Sequence, residues 1–343
     1  MERHHIQRAI ARLATIPHLN HGYYPTPIEE LSRLRKALGG GPRLLIKRDD
    51  YTGPGFGGNK VRKLEYLLAQ VVADGTEIAI TTGGERSNHA RVTAALCARL
   101  GLSSILVLNR ASPAASSRLK PASLYLDEML GAEIHYVNSR QERAEVAAAI
   151  VEQLRREGKR VTEIPIGASV PLGALGFVKA VQETAAQLQA MNVRPNYIFH
   201  ASSSGGTQAG IVAGCQLFGL DDAQVIGVSP DDPAAAISTR IARIIDGVGE
   251  LLGLPAGALN GEATVLDSFI GPGYGLDTPE AVAAMRLLAR AEGILLDPVY
   301  TAKAMAALIA WVRQGQLTEQ DTVLFWHTGG QLAMFYAPIQ EEE

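Results

Sequence analysis

Short apolar runs rich in β-branched residues recur along this chain at 78–82, 104–108, 134–137, 196–200, 225–229 and 323–327. Between them the apolar positions shift to helical spacing. In 60–72, Val61, Leu64, Leu67, Leu68, Val71 and Val72 fall on one face, and 88–100 and 207–218 repeat that pattern. Such alternation from about residue 43 onward predicts βαβ units, with crossover helices covering parallel sheets. Pro and Gly within 165–173 interrupt both periods and predict a crossing between two α/β units. No repeat of fixed period occurs, and the acidic tail 341–343 reads as a frayed end.

Composition narrows the class. A chain of 343 residues, 47% hydrophobic and 20% charged, is longer than one core ordinarily organises, so two domains, or one with a subdomain, are expected. The net charge of −3 comes from interspersed acids and bases, which leaves no basic surface for a nucleic-acid backbone. Cys97 and Cys215 are too few for a disulfide framework and fit a reducing compartment. No apolar run approaches the roughly 18 residues of a membrane span, and the N-terminus lacks the apolar stretch of a secretion signal. A cytoplasmic protein with neither membrane nor nucleic-acid partner is expected.

Four segments could carry chemistry. Gly57-Gly58-Asn59-Lys60 places Asn59 as a cap and Lys60 at the positive end of a helix dipole, where a neutral, nucleophilic amine is favoured. Taken alone, Lys60 could equally be a solvated helix lysine. Thr81-Thr82-Gly83-Gly84-Glu85-Arg86-Ser87-Asn88-His89 runs from a strand into a helix, a place that holds carboxylates or is simply a capped turn. Ser202-Ser203-Ser204-Gly205-Gly206-Thr207 also leads from strand to helix, and its small residues let amides and hydroxyls converge on a phosphate. It lacks the lysine of a P-loop and the spacing of a dinucleotide fingerprint, so a phosphate attached to a cofactor fits best. Tyr274, Tyr300, Thr301 and Thr328 stand in Gly- or Pro-flanked segments that read as loops near strand ends, although either tyrosine could be a core aromatic. No histidine or cysteine spacing recommends zinc, and no catalytic metal is expected.

In this order, Tyr24-Pro25-Thr26-Pro27, Ile46-Lys47-Arg48-Asp49-Asp50, GGNKVRKLEYL, SNHARVTAA, SSSGGTQAG, DPVYTAKAM and HTGG span nearly the whole chain. Together they resemble the family that contains D-cysteine desulfhydrase and 1-aminocyclopropane-1-carboxylate (ACC) deaminase. The resemblance implies pyridoxal 5′-phosphate (PLP) as cofactor and the tryptophan-synthase-β-like fold type II, two open parallel-sheet α/β domains. It implies a smaller domain of 57–169, a larger PLP-binding one of 1–56 and 170–343, and a homodimer. Lys60 would hold PLP as a Schiff base and move the Cα proton of a small amino-acid substrate. Asn88 would bond the cofactor's 3-hydroxyl, Ser204, Gly205, Gly206 and Thr207 its phosphate, and Thr328 its pyridine nitrogen. Ser87, Asn88 and His89 would meet the substrate, with Ser87 assisting proton transfer, while Tyr274 and Tyr300 would line its pocket, Tyr300 as acid or base.

Thr301 stands where ACC deaminases resemble one another in carrying Glu, and a neutral hydroxyl beside the pyridine ring points to the desulfhydrase branch. The expected reaction is then α,β-elimination by a carbon–sulfur lyase, with D-cysteine giving pyruvate, sulfide and ammonia. Arg86 replaces a frequent Gln and could capture a second anionic group, which keeps an L-cysteate sulfo-lyase open; alternatively it pairs with Glu85 or Glu163. An ACC deaminase and a catalytically silent PLP-binding protein are the remaining alternatives. Ser203 and Gln208 replace the family's usual Gly and His, and Ser203 would have to tolerate a backbone conformation suited to Gly.

Overall fold

The computed structural model describes residues 2–110 and 119–338, so the tail 341–343 lies outside the described residues. Its larger sheet has the strand order β1-β2-β11-β8-β9-β10. These are β1 (Ile28–Glu30), β2 (Arg43–Arg48), β11 (Thr322–His327), β8 (Tyr197–Ala201), β9 (Gln224–Val228) and β10 (Thr264–Leu266). Only the edge strand β1 is antiparallel to its neighbour. The second sheet is wholly parallel, in the order β6 (Glu133–Val137), β4 (Ser103–Asn109), β3 (Ile78–Gly84) and β7 (Val161–Ile164). A short antiparallel pair joins β5 (Leu119–Pro121) to β12 (Tyr336–Pro338). The helices are α1 (Arg3–Thr15), α2 (Ser32–Ala37), α3 (Asn59–Ala73), α4 (Asn88–Leu100), α5 (Ala122–Met129), α6 (Glu142–Arg156), α7 (Pro171–Ala190), α8 (Gly206–Leu217), α9 (Ala234–Leu251), α10 (Pro279–Glu292) and α11 (Thr301–Arg313).

Each apolar run read from the sequence falls on a strand to within a residue, because the inner strands are covered on both faces by helices and are apolar at almost every position; the edge strand β6 is only partly buried. Short edge strands such as β7, with its Thr162 and Glu163, carry too few apolar residues to show a period. Val72 departs from the predicted stripe and is 44% exposed, since it lies beyond the part of α3 that is covered. The chain leaves the smaller sheet after β7 through 165–170 and enters α7, where the break in periodicity falls.

Helix α7 is the hinge of the packing. A Cβ on Gly176 would lie 2.1 Å from the Arg62 carbonyl oxygen of α3, and one on Gly210 of α8 would lie 2.3 Å from the Ala174 carbonyl oxygen. The three helices therefore touch backbone to backbone, which only glycine permits. That contact brings the start of α3 and the start of α8 into one neighbourhood.

Beneath them lies a buried ionic cluster. Arg62 Nε and Nη2 donate to Asp49 Oδ2 and Oδ1, each at 2.8 Å, and Arg62 Nη1 donates to Glu183 Oε2 at 3.0 Å. Lys47 Nζ donates to the Thr26 carbonyl at 2.8 Å and to Glu183, and the Trp326 indole donates to Asp49 Oδ2 at 2.8 Å. Burial alone would raise the Asp49 carboxyl, but Arg62, Lys47 and Trp326 reverse that and hold it below its ordinary value. Two cations and two carboxylates cancel inside the core, and each has directional partners. Breaking one member exposes the cost. Asp49→Asn should lower the urea midpoint by an amount equivalent to about 3–5 kcal/mol; an unchanged midpoint would show that the cluster does not anchor α3.

Candidate active site

The loops that follow β3, β8, β9 and β11 all open at the carboxyl ends of their strands, and together with the start of α3 they enclose a cavity of about 440 Å³. Its wall includes Lys60, Ser87, Asn88, His89, Ser204, Gly205, Thr207, Tyr274, Tyr300 and Thr328. Residues spread from 60 to 328 in the sequence thus converge. Arg86, Gly206 and Thr301 are not on that wall.

Lys60 is the second residue of α3. Gly58, not Asn59, is the N-cap, and Asn59 instead donates through Nδ2 to Thr207 Oγ1 at 3.0 Å. The Asn59 amide also bonds the Thr328 carbonyl at 3.0 Å, which ties the start of α3 to the end of β11. Lys60 is half-buried by area yet its amine is enclosed by the cavity wall, and this desolvation pushes its pKa down to about 8. About half of the amine is therefore neutral near pH 8, where an unperturbed lysine would be almost wholly charged.

The loop from β8 into α8 turns through one left-handed residue. The left-handed position is Gly205, at φ 86°, and Ser203 is not among the positive-φ residues, so no strain attaches to the serine. Gln208 turns away and donates to the Thr264 carbonyl at 2.8 Å. Two residues not singled out in the sequence complete the loop. Ser169 Oγ lies 2.6 Å from Ser204 Oγ, accepts from Gly206 N at 3.3 Å and accepts from Lys63 Nζ at 2.8 Å. Burial, with Lys60 nearby, pushes the Lys63 amine well below its ordinary value, and an anion bound at the loop would favour its charged form.

At the start of α4, Ser87 Oγ caps the helix by accepting from Ala90 N at 3.2 Å while still facing the cavity. Asn88 Oδ1 accepts from Arg91 Nη1 at 2.7 Å, so its Nδ2 is left as a donor toward the cavity. Thr81 donates its hydroxyl proton to the Ile164 carbonyl and must accept from His89 Nε2 at 2.8 Å. Desolvation and the two lysines hold His89 well below its ordinary pKa, and it is neutral.

Opposite chemistry gathers at the start of α11. The Tyr274 and Tyr300 hydroxyls lie 2.5 Å apart. Desolvation, reinforced by Tyr274, raises Tyr300 well above its ordinary pKa, so it keeps its proton. Asp297 fixes this turn by accepting from the amides of Val299, Tyr300 and Thr301 and from the Thr301 hydroxyl, all at 2.7–2.9 Å. Thr301 is fully buried and spends its hydroxyl on Asp297, away from the cavity where the resemblance put it. Arg86 is half-buried and likewise off the wall. The cationic wall residues are instead Arg140 and Arg143 of the β6–α6 segment and Arg240 of α9, with Asp231 and Asp232 after β9. The aspartates share the strand-end signal used for the other loops, whereas Arg140 and Arg143 sit in a charged run that reads as solvated surface and Arg240 sits in an amphipathic helix.

A family model described as pyridoxal-phosphate dependent enzyme matches residues 19–329. The chain is 38% identical to D-cysteine desulfhydrase of Yersinia pestis (strain Pestoides F) over 325 residues, 94% of this chain and 97% of that protein. It is 37% identical to D-cysteine desulfhydrase of Klebsiella pneumoniae (strain 342) over 328 residues, 95% and 98% of the two chains. A solved ACC deaminase homologue is similar with a TM-score of 0.86 and 34% identity, over 98% of this chain and 97% of that one. Threonine deaminase isoform 2 from Solanum lycopersicum gives a TM-score of 0.67 at 16% identity, over 96% and 85%, which is a likeness of fold.

The cavity suits that cofactor: an amine of lowered pKa for the aldehyde, a helix N-terminus with Ser204 and Thr207 for the phosphate, backed through Ser169 by the buried Lys63 amine, and Asn88 Nδ2 for a ring oxygen. Uptake of PLP by the cofactor-free protein should fall about tenfold per pH unit below about 8 and level off above it, because only the neutral Lys60 amine reacts. A rate that ignores pH from 6 to 9 would contradict the lowered pKa. A Cβ at position 206 would lie 2.7 Å from Ser169 Oγ, so Gly206→Ala should weaken PLP binding by about 5- to 100-fold in equilibrium titration.

Proposed function

Because the chain belongs to the pyridoxal-phosphate dependent enzyme family and is a PLP-dependent lyase of fold type II, we propose that it catalyses α,β-elimination on a cysteine-type amino acid. D-cysteine, the substrate named for its desulfhydrase relatives, would give pyruvate, sulfide and ammonia with the consumption of one water. The observation that carries this reading is a base and an acid set apart in one cavity: the Lys60 amine at about 8 and the Tyr300 phenol held protonated.

PLP, when bound, withdraws electrons from the substrate Cα and so makes its proton removable. Lys60 Nζ takes that proton. Ser87 and the first amides of α4 hold the α-carboxylate, aided by the positive end of the helix. Asn88 Nδ2 and the 204–207 loop orient the cofactor, while Tyr300 Oη offers a proton to the departing sulfur, with Tyr274 holding the phenol in place. Thr301 turns its hydroxyl to Asp297 and brings no charged group to the cavity.

The proposal extends to organisation. The strands of the smaller sheet all fall within 78–164, which supports a smaller unit of 57–169 set against a larger one of 1–56 and 170–343. No helix among the described residues is long and apolar enough to cross a membrane. With both cysteines free and buried and a net charge of −3, a cytoplasmic homodimer acting on a small amino acid, without nucleic-acid or membrane partners, completes the reading.

Tyr300→Phe should lower kcat for sulfide release about 10²- to 10⁴-fold while the visible absorbance of bound PLP persists. Pyruvate and sulfide would be assayed with D- and L-cysteine. Full activity in Tyr300→Phe would remove the phenol from its assigned part, and wild-type protein that binds PLP but releases no pyruvate from any thiol amino acid would overturn the lyase assignment for this substrate class.

A further inference from the structure

The charges on the cavity wall do not cancel. Three guanidinium groups, Arg140, Arg143 and Arg240, face two carboxylates, Asp231 and Asp232. Arg240 bonds Asp232 at 2.6 Å and the Ser203 carbonyl at 3.0 Å, which stations it at the phosphate loop. Arg140 reaches Asp231 at 3.4 Å and stands 5.2 Å from the centre of the Tyr274 ring. Arg143 spends Nε on the Arg140 carbonyl at 3.2 Å, and among the described residues neither of its terminal nitrogens has a carboxylate within ion-pair distance. Its neighbour Glu142 is turned back onto Ser139 Oγ at 2.7 Å and the Asn138 amide at 3.2 Å.

A half-buried cation in this position is held at a cost. Burial and the adjacent Arg140 both work against the charge of Arg143, and the neighbouring Tyr274 and Tyr300, held as neutral phenols, bring no negative charge to balance it. A guanidinium stays protonated regardless, so the uncompensated charge persists and points to an anion that arrives with a ligand. The cofactor's phosphate is provided for elsewhere, by the 204–207 loop with Lys63 and Arg240. The α-carboxylate has Ser87 and the α4 N-terminus. What remains is the side-chain end of the substrate, which the Tyr274–Tyr300 pair borders.

We propose that Arg143, with Arg140 beside it, is an anion-binding subsite for the substrate's β-substituent, selecting amino acids whose β-group carries its own negative charge, such as a sulfonate or an S-linked sulfonate. The inference rests on the elimination chemistry proposed above and names the substrate class for it. The chemistry closes without a further reactant. The Cα proton passes to Lys60, the Cβ–S bond breaks with both electrons going to sulfur, and sulfite or thiosulfate leaves as an anion. Hydrolysis then consumes one water and yields pyruvate and ammonium. A leaving oxyanion needs no proton from Tyr300; it needs a fixed positive charge, and a guanidinium presents paired donors to two of its oxygens. Arg86, the earlier candidate for such a role, is not on the wall.

The test separates binding from turnover. Holoenzyme is titrated calorimetrically with 3-sulfopropionate and with propionate, which lack the amino group and cannot react. Wild type should bind the sulfonate at least about tenfold more tightly; Arg143→Gln should erase that preference and Arg143→Lys restore part of it, through a point charge without the fork. In parallel, the ratio of kcat/KM for S-sulfocysteine and cysteate over cysteine should fall about tenfold or more in Arg143→Gln. Equal affinity for the two acids in wild type, or a preference that survives Arg143→Gln in folded protein, overturns the subsite. If the Arg143-dependent preference is present and no amino acid is turned over, the subsite stands and the lyase substrate assignment fails; turnover of cysteine without the preference gives the converse.

Discussion

The bidentate pair between Arg62 and Asp49 is the constraint on which the site depends. Arg62 follows Lys60 by two residues, so anchoring it anchors the reactive amine, and Asp49 closes the loop between the larger sheet and α3. The pair is wholly enclosed, and it is tolerable there because Lys47, Glu183, Thr26 and Trp326 leave neither charge nor lone pair idle. Helix α7 then serves two masters, offering Glu183 to the cluster on one turn and glycine close contacts to α3 on another. Electrostatics and backbone contact thereby hold the same stretch of α3 from two sides.

From that anchor the cavity sorts its groups by environment. The Lys60 amine is desolvated and easily neutral, the Tyr300 phenol is desolvated and reluctant to ionise, and the imidazole of His89 is held neutral by desolvation and the nearby lysines. Burial acts on all three, yet it makes one a base, one an acid and one inert, because their charged forms differ in sign and in the partners that remain. The arginines of the β6–α6 segment and α9 then add a permanent field that no protonation change can switch off.

The sequence disclosed what depends on repetition or on small residues. The apolar runs gave the strands, and the small residues of 202–207 gave the tight turn from β8 into α8, because short side chains let the backbone close there. It concealed what depends on burial of charge. Lys47, Arg48, Asp49 and Asp50 counted only as part of a family motif, yet all four are buried, since their partners come from 26, 29, 183 and 326 and no local pattern announces such distances. Asn59 looked like a cap and is a cross-link to Thr207; Thr301 looked like a cofactor contact and is a clamp on Asp297. In both cases the residue type was informative and the direction of its side chain was not.

The contact between Gly176 and the Arg62 carbonyl carries one more consequence. A methyl group there would touch no ligand and remove no hydrogen bond, but it would press on the backbone two residues from Lys60. Helices that meet at their main chains have no soft side chains between them to absorb such a displacement. The tolerance of this protein to change is therefore not mapped by nearness to the cavity. A position deep in α7 belongs, in its effect, with the residues that line the wall, and the freedom of this chain to drift is narrowest along the line of small residues that carries the larger sheet's rigidity to the amine.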